Sequence, residues 1–260
     1  MSSSEVAHIG WFSAVWVHAG RLLTRWLRSP ADILSTLGMP VMMMVILNVM
    51  FSGMVEQFSG APMDMTGVCV MIAVAQSFTA ALMGAGSIVQ ERHEGLPDRL
   101  ATLPGKQSTA MAGRILAEST KSFASMLAAL GTGFAYGADF GTVAGLLGAL
   151  TVLAIVAVAA GAVGVMLGFV VDTPQGAVSF APLVMAAMFF NTAMMPRDMY
   201  AEVLRPIVDL SPVTAVTGLV DSLVAGSSMA DHVFSFATWF GGLIVFSVVV
   251  LTRKAIGYRR

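Results

Sequence analysis

Between Asp139 and Asp172 the chain reads FGTVAGLLGALTVLAIVAVAAGAVGVMLGFVV (residues 140–171), 32 residues without a charge. A helix crosses the hydrocarbon of a bilayer with about 17 to 25 mostly apolar residues, so this run is long enough to span alone. Five further charge-free runs lie between Asp32 and Glu56, Asp64 and Glu91, Lys121 and Asp139, Asp172 and Arg197, and Asp231 and Arg253. The run after Lys121 is the shortest. It extends backward through Lys121 and Glu118, whose i,i+3 spacing allows them to pair near a membrane face. From Asp198 to Asp231 no uncharged run is long enough to cross, so that stretch stays on one side.

Composition points the same way. Of 260 residues, 57% are hydrophobic and 11% charged, against about 25% charged in soluble domains. A water-soluble enzyme, a nucleic-acid binder and a disordered chain each need a more polar surface than this. The expected fold is all-α: a polytopic membrane protein in one domain, residues 1–260. Six transmembrane helices are expected over about 33–52, 66–90, 116–137, 143–170, 175–195 and 232–252.

Six spans put both termini on one face. Twelve of the 14 basic residues fall there: Arg21, Arg25 and Arg28 before span one, Arg92, Arg99, Lys106, Arg114 and Lys121 after span two, and Arg253, Lys254, Arg259 and Arg260 in the tail. The other face has Arg197 and Arg205 beside eight acids. The positive-inside bias therefore predicts a multi-pass plasma-membrane protein with both termini cytoplasmic.

Three segments outside the spans carry their own patterns. Residues 8–28 set His18, Arg21, Arg25 and Arg28 three or four apart, with Val15, Leu22, Leu23, Trp26 and Leu27 between them. That is a basic amphipathic helix suited to lie in the cytoplasmic interface against anionic headgroups. Residues 91–105, the most charged stretch, combine a Gly95-Leu96-Pro97 break with Leu100 and Leu103 and close at Pro104-Gly105. This reads either as a helical turn that docks on another protein or as a solvated loop. The outer segment 197–230 spaces Met199, Val203, Ile207 and Leu210, then Val216, Leu219 and Leu223, as two short amphipathic helices. They would form a re-entrant or interfacial cap between spans five and six.

Chemistry is sparse. His93-Glu94-Gly95-Leu96-Pro97 begins like the zinc-protease motif, but Pro97 supplies no ligand and breaks the helix. Gly105-Lys106-Gln107-Ser108 lacks the earlier glycine of a phosphate loop and places Gln107 where magnesium needs Ser or Thr. A single cysteine, Cys69, excludes an intrachain disulfide and a Cys-based metal cluster. No catalytic, metal or cofactor site is expected in this chain. Twenty methionines include Met42, Met43, Met44, Met185, Met188, Met194 and Met195. They read as packing, as lining of an adaptable apolar cavity, or, with Met63-Asp64-Met65, as Cu(I) ligands.

The order of short motifs is informative. Arg21-Leu22-Leu23-Thr24-Arg25-Trp26 leads through Ser29-Pro30 to Met39-Pro40, and span two ends in Glu91-Arg92-x-x-Gly95-Leu96. Then follow Arg99-Leu100, Leu103-Pro104, Gly113-Arg114-Ile115-Leu116-Ala117, Leu210-Ser211-Pro212, Gly226 and the tail Ala255-Ile256-Gly257-Tyr258-Arg259-Arg260. Taken together the chain resembles the type-2 ABC transporter permeases, in particular the daunorubicin/doxorubicin resistance branch with its mycobacterial lipid-export relatives. It departs at Ser211, where Asn is usual, and at Asp221, near where many relatives carry Arg.

The resemblance implies a permease subunit of an ATP-driven exporter that moves an amphiphilic drug or lipid outward. It implies a second permease, identical or paralogous, and separate ATP-binding subunits that hold ATP and Mg. The 91–105 loop would be the coupling element, with Glu91, Arg92, Gly95, Leu96, Arg99 and Leu100 at its centre. The substrate path would run between paired permeases along spans one, two and five, whose matching positions are Met42, Gln76, Phe78, Met185, Met188, Phe189 and Asn191. A channel or pore without ATP coupling is the alternative of another class.

Overall fold

The computed structural model describes residues 10–60, 62–95, 107–193 and 195–257, and among these every regular element is helical. Helix α1 (Trp11–Leu27) precedes a short α2 (Pro30–Ile33), whose first turn Pro30 opens behind the Ser29 cap. A π-helical turn at Leu34–Gly38 joins α2 to α3 (Met39–Ser59). Beyond it come α4 (Met65–His93), α5 (Gln107–Ala135) and α6 (Val143–Val170). Two short pieces follow, α7 (Pro174–Val178) and α8 (Ala181–Phe189). The chain ends with α9 (Arg205–Asp209), α10 (Pro212–Ala225), α11 (Ala230–Phe236), a second π-helical turn at Ala237–Gly241, and α12 (Gly242–Gly257).

Among the described residues, four continuous helical stretches are long and apolar enough to cross a membrane: Pro30–Gln57, Met65–His93, Val143–Val170 and Ala230–Lys254. Helix α5, where span three is expected, is 29 residues long but carries Arg114, Glu118 and Lys121 in its first half. The stretch expected as span five is two helices broken around Ser179-Phe180 and finished at Phe189. Pro182 explains the first break, because it has no N–H to give the preceding turn.

Helices α4, α5 and α6 form the centre, each packed against the other two. Small residues bring them together. A methyl group on Gly164 of α6 would lie 2.7 Å from the Ala81 carbonyl oxygen of α4, and one on Gly161 would lie 2.7 Å from the Ser119 amide nitrogen of α5. Glycines at these spacings let helix backbones approach where lipid supplies no hydrophobic drive to pack.

The charge on α5 is absorbed the same way. Glu118, 7% exposed, pairs with Lys121 at 2.7 Å and sits over Gly84, where a methyl group would come within 2.6 Å of its carboxylate. The i,i+3 pairing expected from the sequence is therefore present. Around this centre α3 and α12 are peripheral, with most of their apolar surface open.

Candidate functional site

The end of α4 gathers the charged residues. Asp64 caps the helix at its start, accepting from the Thr66 and Gly67 amides at 3.0 and 3.1 Å, and the helix then runs to His93. Gly95, with φ +70°, takes the left-handed conformation that stops it. Just inside that stop, Glu91 accepts from two directions: Arg25 Nη1 on α1 at 2.9 Å and Arg114 Nη2 on α5. Arg25 is 74% exposed, so its pair with Glu91 contributes little alone. Arg114 and Glu91 are 17% and 13% exposed, and that pair fixes the beginning of α5 against the end of α4.

Arg92 faces the other way. Its Nη1 donates to the carbonyl oxygens of Gly168 at 3.1 Å and Val171 at 2.9 Å, occupying carbonyls that the end of α6 leaves open. Two successive residues thus tie the end of α4 to α1, α5 and α6. From Val171 the chain turns directly into α7, which packs on α4, Pro174 lying against Gly86. Leu96, Arg99 and Leu100, expected in the same coupling element, lie outside the described residues, as do His8 and Ile9 before α1.

Helix α1 carries three faces. Val15 and Ala19 are buried against α5, where Gly113 leaves no side chain between the backbones: a methyl group there would meet Val15 O at 2.8 Å. Phe12, Trp16, Val17 and Leu27 are exposed apolar residues, and Arg21, Arg25 and Arg28 are exposed cations. The Trp26 indole N–H donates to Thr36 Oγ1 in the first π-helical turn, linking α1 to the start of the α3 stretch.

The candidate path residues divide by environment. Met42, Met185 and Phe189 are exposed. Gln76 and Phe78 are half-buried, with the Phe78 ring 6.5 Å from that of Phe240. Met188 is buried in the central apolar cluster with Met44 and Met71. Asn191 is buried and spent on the chain itself: its amide nitrogen donates to Met188 O, and its Oδ1 accepts from the Ala193 amide at 2.8 Å. It replaces the hydrogen bonds that the end of α8 loses. The Tyr200 hydroxyl lies against the same break, within donating distance of Asn191 O at 2.7 Å and Phe189 O at 3.1 Å.

On the same side, Arg197 grips Asp209 through two bonds at 2.7 and 2.8 Å, which holds the Asp209 carboxyl below its usual range. Asp221 is the opposite case. Although the residue is exposed, desolvation by the surrounding helices and then the charge on Asp64 push its carboxyl up to about 6.

A family model described as ABC-2 family transporter protein matches residues 65–252, from the first turn of α4 into α12. The chain belongs to the ABC-2 family of transporter proteins. It is also similar to a protein named "Probable doxorubicin resistance ABC transporter permease protein DrrC" in two strains of Mycobacterium tuberculosis, H37Rv and CDC 1551. With each it shares 29% identity over 250 residues, covering 94% of this chain and 87% of the relative. As an ABC-2 chain it is a membrane permease, and in it α1, α5 and α6 meet the end of α4 at a charged junction. Arg114, Tyr200 and Phe240 join the candidate residues from the structure. Only Arg114 had a signal in the sequence, as part of Gly113-Arg114-Ile115.

Proposed function

We propose that this ABC-2 permease is the membrane-spanning subunit of an ATP-driven exporter that moves an amphiphilic drug or lipid outward across the plasma membrane. Six spans cross the bilayer, with both termini cytoplasmic and residues 197–230 as an outer cap. Hydrolysis takes place in a separate ATP-binding subunit, which holds ATP and Mg, and a second permease completes the path. The substrate class follows from what surrounds the candidate path, where exposed Met42, Met185 and Phe189 offer apolar contact with Gln76 as a sparse polar handle.

One observation carries the coupling role. Glu91 and Arg92, in the last turn of α4 where the expected coupling segment 91–105 begins, bond α1, α5 and α6. A push delivered to that loop by the ATPase reaches three helices at once, and through Val171 it reaches α7 and α8. Nucleotide binding then shifts the balance between inward- and outward-open pairs of permeases.

The test is Glu91→Gln in the assembled transporter, reconstituted in vesicles with its ATP-binding subunit. Assembly is retained while ATP-dependent export falls at least about tenfold, the cost of one partly buried charged interaction. Full export by the variant would sink the coupling role, and flux in vesicles lacking the ATP-binding subunit would replace the exporter with a channel.

A further inference from the structure

Beside Glu91, between α1 and α5, lies a partly open cavity of about 280 Å³ lined by His18, Arg21, Leu22, Arg25, Ala110 and Arg114 with Glu91. Three guanidinium groups stand around one carboxylate, so the site keeps a positive excess after Glu91 is paired. The pairing also leaves donors over. Glu91 takes Nη1 of Arg25 and Nη2 of Arg114, while Arg114 Nε is buried and has no hydrogen-bond partner. Arg21 makes no ion pair among the described residues. An anion in the cavity would meet the guanidinium groups of Arg21 and Arg25, whose remaining donors are exposed.

The cavity opens onto a second groove along α1, lined by Arg21, Thr24, Arg25 and Arg28. The same helix also exposes apolar side chains: Phe12 is 82% exposed, Trp16 71%, Val17 65% and Leu27 62%. Cationic groove and apolar stripe are therefore neighbours on one helix. The ligand that matches both carries a phosphate at one end and hydrocarbon at the other, because guanidinium forks bind phosphate oxygens in pairs while apolar side chains accept acyl chains.

We propose that this cavity binds phosphate, and specifically the headgroup phosphate of an anionic phospholipid of the cytoplasmic leaflet. The lipid lies along α1 and bears on the Glu91 junction. The assignment of the leaflet rests on the proposed cytoplasmic position of α1. The site itself rests on the cavity and on the surplus of donors that Arg21 and Arg25 keep after Glu91 is paired. An occupied cavity braces α1 against α5 next to the residues that receive the ATPase stroke, making the exporter sensitive to the charge of the surrounding lipid.

The experiment uses the full chain in detergent, titrated with phosphatidylglycerol or phosphatidylcholine and followed by native mass spectrometry, with inorganic phosphate as a separate arm. The wild type retains one phosphatidylglycerol per chain in preference to phosphatidylcholine. Arg21→Ala, on an exposed position where folding is not at stake, weakens that retention about tenfold, the loss of one charged hydrogen-bond partner. Arg253→Ala, an exposed position on α12 that lines neither the cavity nor the groove, changes it less than twofold.

Phosphate binding that depends on Arg21, without lipid retention, would keep the anion site and replace its source by free phosphate. Equal losses in the Arg21 and Arg253 variants would reduce the effect to general surface charge and overturn the site. So would an Arg21→Ala chain that retains lipid normally but no longer holds the ATP-binding subunit, which would make the cations a protein-docking face. Because the readout is lipid bound per chain, a negative result leaves the exporter reading standing, and a failure of export leaves this site standing.

Discussion

Gly164→Ala adds one methyl group at a close crossing of α4 and α6, and the structure sets its sign. The new Cβ lies 2.7 Å from Ala81 O and 3.0 Å from Ala81 Cβ, where ordinary contact begins at 3.4 Å. The obstacle is backbone, which cannot swing aside as a flexible side chain does, so α4 and α6 must separate by several tenths of an ångström. Overpacking of that kind costs about 1–3 kcal/mol, against a helix-propensity gain of about 1 kcal/mol for replacing glycine. The net expectation is destabilisation of up to about 2 kcal/mol.

Gly131→Ala on α5 is the matched control, since nothing lies within 4 Å of its added methyl group. It keeps the propensity gain without the clash, so its sign is neutral to stabilising. Unfolding of both variants is followed by circular dichroism in the same detergent. If the Gly164 variant proves as stable as the Gly131 variant, the close crossing of α4 and α6 is wrong.

Other outcomes follow from the two ends of the molecule. Arg92→Ala frees the carbonyls of Gly168 and Val171, so hydrogen exchange over 168–178 accelerates while α3 is unaffected; protection unchanged in that stretch would contradict the bracing role. Tyr200→Phe removes the hydroxyl that meets Asn191 O and Phe189 O, with a loss of about 1 kcal/mol read as faster exchange over 190–200. Asp221 has a folded pKa raised from 3.8 to about 6. The folded state therefore holds its proton more tightly, and the penalty is complete above about pH 6, relieved as pH falls through that value and gone near pH 4. Asp221→Asn stabilises the chain at pH 7.5 and not at pH 4, and equal effects at both would remove Asp64 and desolvation as the cause.

Periodicity and charge placement were enough for the long elements. The run 140–171 became α6, and the amphipathic pattern before Pro30 became α1, because both depend only on local spacing and on where charges are tolerated. The break in 175–195 was harder to foresee. Uncharged length alone does not reveal it, because Pro182 limits the helix and Asn191 bonds to residues two and three positions away at its end. Asn191 is a particular case: an amide amid apolar residues reads as a polar handle, yet here its side chain bonds to the backbone beside it. Glu91 and Arg92 were legible as a charged pair at the end of a span. That one points to α1 and α5 and the other to α6 depends on how the helices are arranged in space, which no spacing within α4 encodes.

The two π-helical turns, Leu34–Gly38 and Ala237–Gly241, occur in the two peripheral stretches. Each holds one more residue than an α-helical turn, so every side chain beyond it is rotated by roughly 100° from where an uninterrupted helix would carry it. Removing a single residue from the first turn keeps the apolar run and its composition. It also swings the whole of α3 about its axis, turning Met44, now fully buried, away from the core and exchanging it with a neighbour from the open side. The facing of the first long apolar stretch is therefore a matter of counting: one residue decides which methionines the protein keeps to itself and which it offers to its surroundings.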